Sequence, residues 1–256
     1  MDTALLSWME KSLRAPAMRA AAFENFSKQK AKQASHMKQR RNKSTEHGSR
    51  TRILDTAEAL FSEQGFATVT TRRIASAAGV SLSALPYHFG SKRELLFQVL
   101  DRRLGQIQAE RARRLHTIDK LEPGDPGSTR LLLEALLVPT FEMAQTHRSF
   151  TKLLGSVSID PNPEVRSVMN EVFAKYPTGL PESFRKIMPQ LSDEAFYWRY
   201  YCVLGAMVYI ESDTGRIDVM SGGKLDFSKP LDNIEHILSF LMWGLHGSPY
   251  QKLVNS

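Results

Sequence analysis

Three blocks decide the reading of this chain: TRILDTAEALFSEQGF at residues 51–66, VTTRRIASAAGVS at 69–81 and YHFGSKRELL at 87–96. In the first, Ile53, Ala57, Leu60 and Phe61 recur at i, i+4, i+7 and i+8, which gathers them on one face of an α-helix. Gly65 then suits the left-handed residue that ends a helix, and Phe66 returns to the core. In the second block Thr70 is placed to cap a very short helix with Ile74, Ala75 and Ala78 on its inner face, and Gly79 supplies the sharp turn behind it. Ser81 is placed to cap a third helix, with Leu82 first, Leu85 inward and Ser83, Ala84 and Tyr87 toward the outside. A short helix with small outward side chains fits a DNA major groove about 12 Å wide. Ser91 and Glu94 form a capping box, each expected to satisfy the other's backbone donor, and this sets Lys92 at the head of a fourth helix.

Pro86 disturbs this pattern. Counted from Leu82, its ring meets the carbonyl of Leu82 and it has no N–H to give, so a kink or an opening is expected in the third helix.

Outward from these blocks the pattern stays helical and is punctuated by Pro and Gly clusters at 122–127, 160–163, 177–181 and 220–223. Longer helices are predicted near 91–116, 129–145, 147–156, 163–175, 192–213 and 230–246. No period-two run indicates a sheet, so the class is all-α. The 256 residues, 42% apolar and 24% charged, suffice for one large or two small domains with a real core. Apolar stretches such as 131–138 and 202–210 fall well short of the roughly 20 residues that cross a bilayer. The start of the chain lacks the pattern of a secretory signal, and a single cysteine, Cys202, has no partner for an internal disulfide. A cytoplasmic location is expected, and Cys202, in an apolar helix, reads as an inert thiol.

The net charge of +7 is segregated: residues 1–50 hold 11 Lys and Arg against 4 Asp and Glu, and the remainder holds 23 of each. Such a segment attracts a polyanion through counterion release, nucleic acid ahead of an anionic membrane, although a solvated basic tail has the same composition. The run Lys38-Gln-Arg-Arg-Asn-Lys43 lies where an arm can follow the DNA backbone or enter a minor groove.

Taken together, the three blocks and their spacing resemble the DNA-binding domain of the tetracycline-repressor family. The resemblance implies an N-terminal three-helix helix-turn-helix domain followed by a roughly six-helix ligand-binding and dimerisation domain. On this chain the corresponding spans are a basic arm at 1–48, the helix-turn-helix at 49–97 and the ligand domain at 98–250. It further implies a homodimer on double-stranded, palindromic operator DNA and a small effector. Carried over by position, Thr71, Tyr87, His88 and Lys92 match phosphate contacts, Arg72 matches a residue that reaches a base, and Ser83 and Ala84 take the groove-facing places. The chemistry agrees, because hydroxyl, phenol, imidazole and ammonium groups donate to phosphate, whereas guanidinium pairs bidentately with guanine. Tyr87 and His88 have an alternative as packing residues, and Arg72 as a solvated charge.

Arg102, Arg103, Arg111, Arg113 and Arg114 make the fourth helix basic; they can meet phosphate of DNA or of a ligand such as a coenzyme A thioester, but an exposed helix face is the simplest reading. Residues 194–210 are dense in aromatics around Gly205-Ala206, where small side chains let another helix approach. Ile234, Ile237, Leu238, Leu241 and Met242 make a stripe on the last helix. A four-helix dimer interface built from these two helices is what the family implies; packing within one chain explains the stripe equally well. The run from 185 to 218 is loosely similar to the C-terminal half of fatty-acid-responsive regulators of the PsrA type. That similarity implies an apolar effector, a fatty acid or acyl-CoA first, with Phe141, Phe150, Phe173, Trp198 and Tyr201 as candidate pocket residues. An enzyme is not expected, since no G-x-S-x-G, phosphate-binding glycine loop, C-x-x-C or H-E-x-x-H is present, and no metal or cofactor is expected either.

Overall fold

Glycine and proline divide the chain into short and long helices, and a computed structural model describes them over residues 48–118, 120–212, 214–224 and 229–247. The chain divides into two units, Met1–Thr51 and Arg52–Ser256. Nearly all of the first, including the basic run at 38–43, lies outside the described residues.

Among the described residues there are eleven helices and no strand. Helix α1 runs over 48–64; α2 is Thr71–Ala78, α3 Ala84–Phe89 and α4 Lys92–His116. Behind these come α5 Pro126–Thr146, α6 Arg148–Ser158, α7 Pro163–Lys175, α8 Leu180–Ile187, α9 Asp193–Ser212, α10 Arg216–Met220 and α11 Ile234–His246. The all-α class and the three-helix head agree with the sequence reading. The six helices expected behind the head become eight, because α8 and α10 join them; at 8 and 5 residues these two are too short to show a periodicity.

Local chemistry explains the starts and stops. The hydroxyl of Thr70 accepts from the Arg73 N–H at 3.2 Å, and Gly79 ends α2 at φ 63°. Ser91 accepts from the Glu94 N–H at 3.0 Å. The reciprocal half of the expected capping box is not made: the Ser91 N–H donates to the Phe89 carbonyl at 2.8 Å and the Glu94 carboxylate accepts from Gln98.

The third helix corrects a second expectation. It begins at Ala84 rather than Leu82, so Pro86 sits in its first turn, where no intrahelical partner is available for an N–H in any case. The strain expected from a kink is avoided by shortening the helix at its front. Ser81 therefore caps nothing, and its hydroxyl pairs with that of Ser83 at 3.0 Å.

Two buried clusters hold the described residues together. One joins Ile53, Phe61, Ile74, Leu85 and Phe89 of the head to the first half of α4 and then to Phe150, Leu154, Val168 and Val172 of α6 and α7. The other gathers α5, α8, α9 and α11 around Leu133, Phe141, Phe184, Phe196 and Leu241. The tightest backbone approach is at Gly155 of α6, where an added Cβ would stand 2.6 Å from the Ser212 nitrogen of α9. Gly205, expected to admit another helix, has no neighbouring atom of the chain within 4 Å of such a Cβ.

Candidate nucleic-acid interface and effector cavity

Helices α2 and α3 meet across the turn at Gly79 with their apolar faces buried in the head, and this leaves one face for a partner. Arg72, Ser83 and Tyr87 are exposed, Tyr87 to 72% of its surface. Thr71, Ala84, His88 and Lys92 are half-buried. Tyr87 and His88 stack edge to face with centroids 5.0 Å apart, so the imidazole braces a phenol that itself faces solvent. Thr71 and Lys92 line one small recess with Pro86 and Gly90. Lys92 holds its ammonium 4.2 Å above the Phe66 ring, and partial burial lowers its pKa, with Glu164 pulling the other way. The seven residues picked from sequence thus occupy the two short helices, the residue before the second of them and the first residue of α4.

Behind the head, α1 and α4 are tied by Arg102, which donates to Asp55 and Glu58 at 2.7 Å, and by Arg103, which donates to Glu58 at 2.9 Å. Helix α7 grips α4 from another side: Arg93 meets Glu171 at 2.6 Å, Lys175 meets Asp101 at 2.8 Å, and the Tyr176 hydroxyl donates to Asp101 at 2.7 Å. Arg113 and Arg114 pair with Glu110, and Arg114 also with Glu142. The basic face read from α4 is therefore largely spoken for.

Arg111 departs from that reading altogether. It is buried, and it stands in the wall of a cavity of about 670 Å³ bounded by α4, α5, the end of α6, α7, α8 and α9. Met169, Phe173, Leu180, Tyr201, Leu204 and Met207 give that wall its apolar character. The five pocket residues proposed from sequence separate. Phe173 and Tyr201 line the cavity, whereas Phe141 and Phe150 are buried packing residues that do not reach it. Trp198 lines a shallower depression with Tyr197 and Glu194, also touched by Tyr201. Aromatic type alone does not separate a cavity wall from a core. The period of α9 and the placement of α7 decide it.

Sequence reasoning missed the polar part of the wall. Arg111 donates to the Leu136 carbonyl at 2.9 Å, the Gln108 amide oxygen at 3.0 Å and the Thr140 hydroxyl at 2.9 Å. Glu211 lies beyond Thr140; burial pushes its carboxyl up to about 8, against the pull of Arg111 and the hydroxyl of Thr140. Tyr200, also in the wall, is pushed up to about 12 by burial, with Arg111 opposing. The sequence reading grouped Arg111 with the exposed arginines of α4 and did not single out Gln108, three residues before it.

Comparison with known proteins places these features. A family model described as "Bacterial regulatory proteins, tetR family" matches residues 53–99, and one described as "Tetracyclin repressor-like, C-terminal domain" matches 134–244. The transcriptional repressor KstR2 of Rhodococcus jostii is 31% identical over 144 residues, which are 55% of this chain and 61% of the relative. The chain spans about half the length of the curated relatives it matches. Among solved structures, the fatty acid degradation regulator FadR of Bacillus halodurans aligns with a TM-score of 0.54 at 18% identity, covering 80% of this chain and 97% of that one. FadR of Bacillus subtilis, solved in complex with stearoyl-CoA, aligns with a TM-score of 0.51 at 17% identity, covering 76% and 98%. At such identities the likeness is one of fold. KstR2 and the AcrR relative of Shigella flexneri bear the names of transcriptional regulators.

Proposed function

We propose, from the premise that this chain belongs to the tetracycline-repressor family of transcriptional regulators, that it is a repressor released from a palindromic operator when a small apolar effector fills its cavity. A fatty acid or acyl-CoA is the leading effector class. The observation that carries the reading is the double duty of α7. Met169 and Phe173 face the cavity, while Glu171 and Lys175 hold Arg93 and Asp101 of α4, the helix that begins at the DNA-facing Lys92. An effector changes operator affinity only if it prefers one spacing of the two reading heads over another. Occupancy that shifts α7 has a direct route to α4.

On the DNA side, Thr71, Tyr87, His88 and Lys92 hold phosphates, Arg72 reads a base edge, and Ser83 and Ala84 stand in the groove. Lys92 leaves its aromatic seat over Phe66 to do so. For the dimer, α9 and α11 expose Tyr197, Trp198, Tyr201, Phe240 and Trp243, more aromatic surface than a lone soluble chain ordinarily leaves to water. A second copy meeting the same two helices buries it and supplies the two-fold axis that a palindrome requires. No helix among the described residues is long and apolar enough to cross a membrane; the proposed place of action is the cytoplasm. A regulator without effector would fill its interior with side chains, and the cavity favours an effector. KstR2 is named a repressor, and the stearoyl-CoA complex of B. subtilis FadR supports an acyl effector for this fold.

The test is selection of bound DNA from a random pool, followed by titration of the selected operator with oleate and oleoyl-CoA. A palindromic site and weakened binding with one of the two are expected. An effector that binds while operator affinity stays unchanged refutes the coupling.

A further inference from the structure

A cationic side chain with only neutral hydrogen-bond partners in the wall of an apolar cavity is an energetic anomaly. Arg111 is 5% exposed, and its partners are a carbonyl, an amide oxygen, a hydroxyl and, at 3.5 Å, the Met207 sulfur. Among the described residues no carboxylate lies within ion-pair distance of it. The nearest acid to act on it, Glu211, stands behind Thr140 with one oxygen lacking any hydrogen-bond partner, and its proton is retained to about pH 8. A guanidinium does not shed its own proton in a protein, so the domain carries a buried positive charge with no carboxylate in contact with it. Such a charge is costly unless an anion joins it.

The surroundings say where the anion sits. Arg111 and Gln108 both border the cavity, one turn of α4 apart, and the Gln108 oxygen is taken up by Arg111, so that what Gln108 has left to offer is its amide N–H groups. Tyr200 adds a phenol that stays protonated at any ordinary pH. Guanidinium, amide and phenol are all donors, and together they suit a group that only accepts. The rest of the wall, with Met169, Phe173 and Leu204, suits a hydrocarbon body.

We infer that this cavity recognises an amphiphilic monocarboxylate, its ionised carboxyl bound by Arg111 with Gln108 and Tyr200 and its hydrocarbon body lying along α7 and α9. The inference rests on the effector reading above and narrows it to an acid whose own carboxylate, and not a thioester carbonyl, meets Arg111.

The test uses the full chain and two matched pairs, oleate with methyl oleate and lithocholate with methyl lithocholate, followed by calorimetry and by release of the selected operator. At least one acid binds about 10- to 100-fold more tightly than its ester, the range expected of a charge-assisted pair. Arg111→Met abolishes that preference while its melting transition stays cooperative, and Arg111→Lys restores part of it. The wild-type comparison of acid with ester stands even if Arg111→Met does not fold. Equal binding of acid and ester, or no binding of either acid, overturns the inference. If oleoyl-CoA alone binds and releases operator, the carboxylate site is refuted and the effector reading survives. An acid that prefers Arg111 yet leaves the operator bound supports the site and refutes the effector reading.

Discussion

Lys92 and Arg72 differ in what they can tell a duplex. Lys92 is a point charge at the first residue of α4, suited to a phosphate oxygen, whereas Arg72 is an exposed fork on α2. Lys92→Ala is expected to weaken binding to all sequences alike and to lower the salt slope by about one, whereas Arg72→Ala should redistribute preference among operators. Gel-shift titrations across salt concentrations measure both, and an unchanged slope removes Lys92 from the phosphate grip. Glu211 makes a different residue-scale prediction. Its carboxyl, ordinarily near 4.5, is raised to about 8 by burial, with Arg111 and the Thr140 hydroxyl pulling the other way. Between those values the native state holds a proton that the unfolded state has released. The slope of stability with pH is therefore negative across that window and vanishes above it. Glu211→Gln should flatten the slope between about pH 5 and 8 in urea melts, and an unaltered slope contradicts the assignment.

Among the elements, α6 and α9 are held closer than side chains allow elsewhere, because Gly155 faces the Ser212 backbone. Gly155→Ala has no flexible neighbour to push aside, and overpacking of this kind costs about 1–3 kcal/mol; denaturant unfolding reads it directly. The junction of α7 with α4 is the element on which the proposed response depends. Tyr176 borders the cavity with its ring and donates to Asp101 with its hydroxyl, and the space for that ring is kept by Gly105, whose added Cβ would stand 3.0 Å from it. Tyr176→Phe loses one charge-assisted bond of about 1.5–3 kcal/mol. It should reduce the effector-induced change in operator affinity while effector still binds. An identical change in the variant and the wild type places the coupling elsewhere. Helix α3 belongs to this scale too. Pro86 was legible as a break, but where the break would be absorbed was not, because starting a helix two residues later and kinking it satisfy the same local rule. Packing of Leu85 and Phe89 into the head favours the shorter helix.

In the molecule as a whole, exposed aromatics on α9 and α11 carry the dimer proposal. Trp243 is 79% exposed and Phe240 72%, so changing both to glutamate removes little packing within the chain. The double variant is expected to sediment as a single 28.9 kDa chain, to melt as a cooperative unit and to lose operator affinity steeply. A dimer of unchanged strength refutes the interface. Cys202, read from sequence as lying in an apolar helix and inert, is exposed on the same α9 helix. The sequence by itself determined the helical class, the caps at Thr70 and Ser91 and the turn at Gly79. All of these rest on contacts between residues a few positions apart, where spacing and conformation are the same information. Only the tertiary structure decided which aromatics enclose a cavity and which fill a core, and that Arg111 lies inside while its neighbours on α4 pair at the surface. Those outcomes depend on which helices meet, and residues as distant as Arg111, Thr140 and Tyr200 share no pattern until the chain has folded.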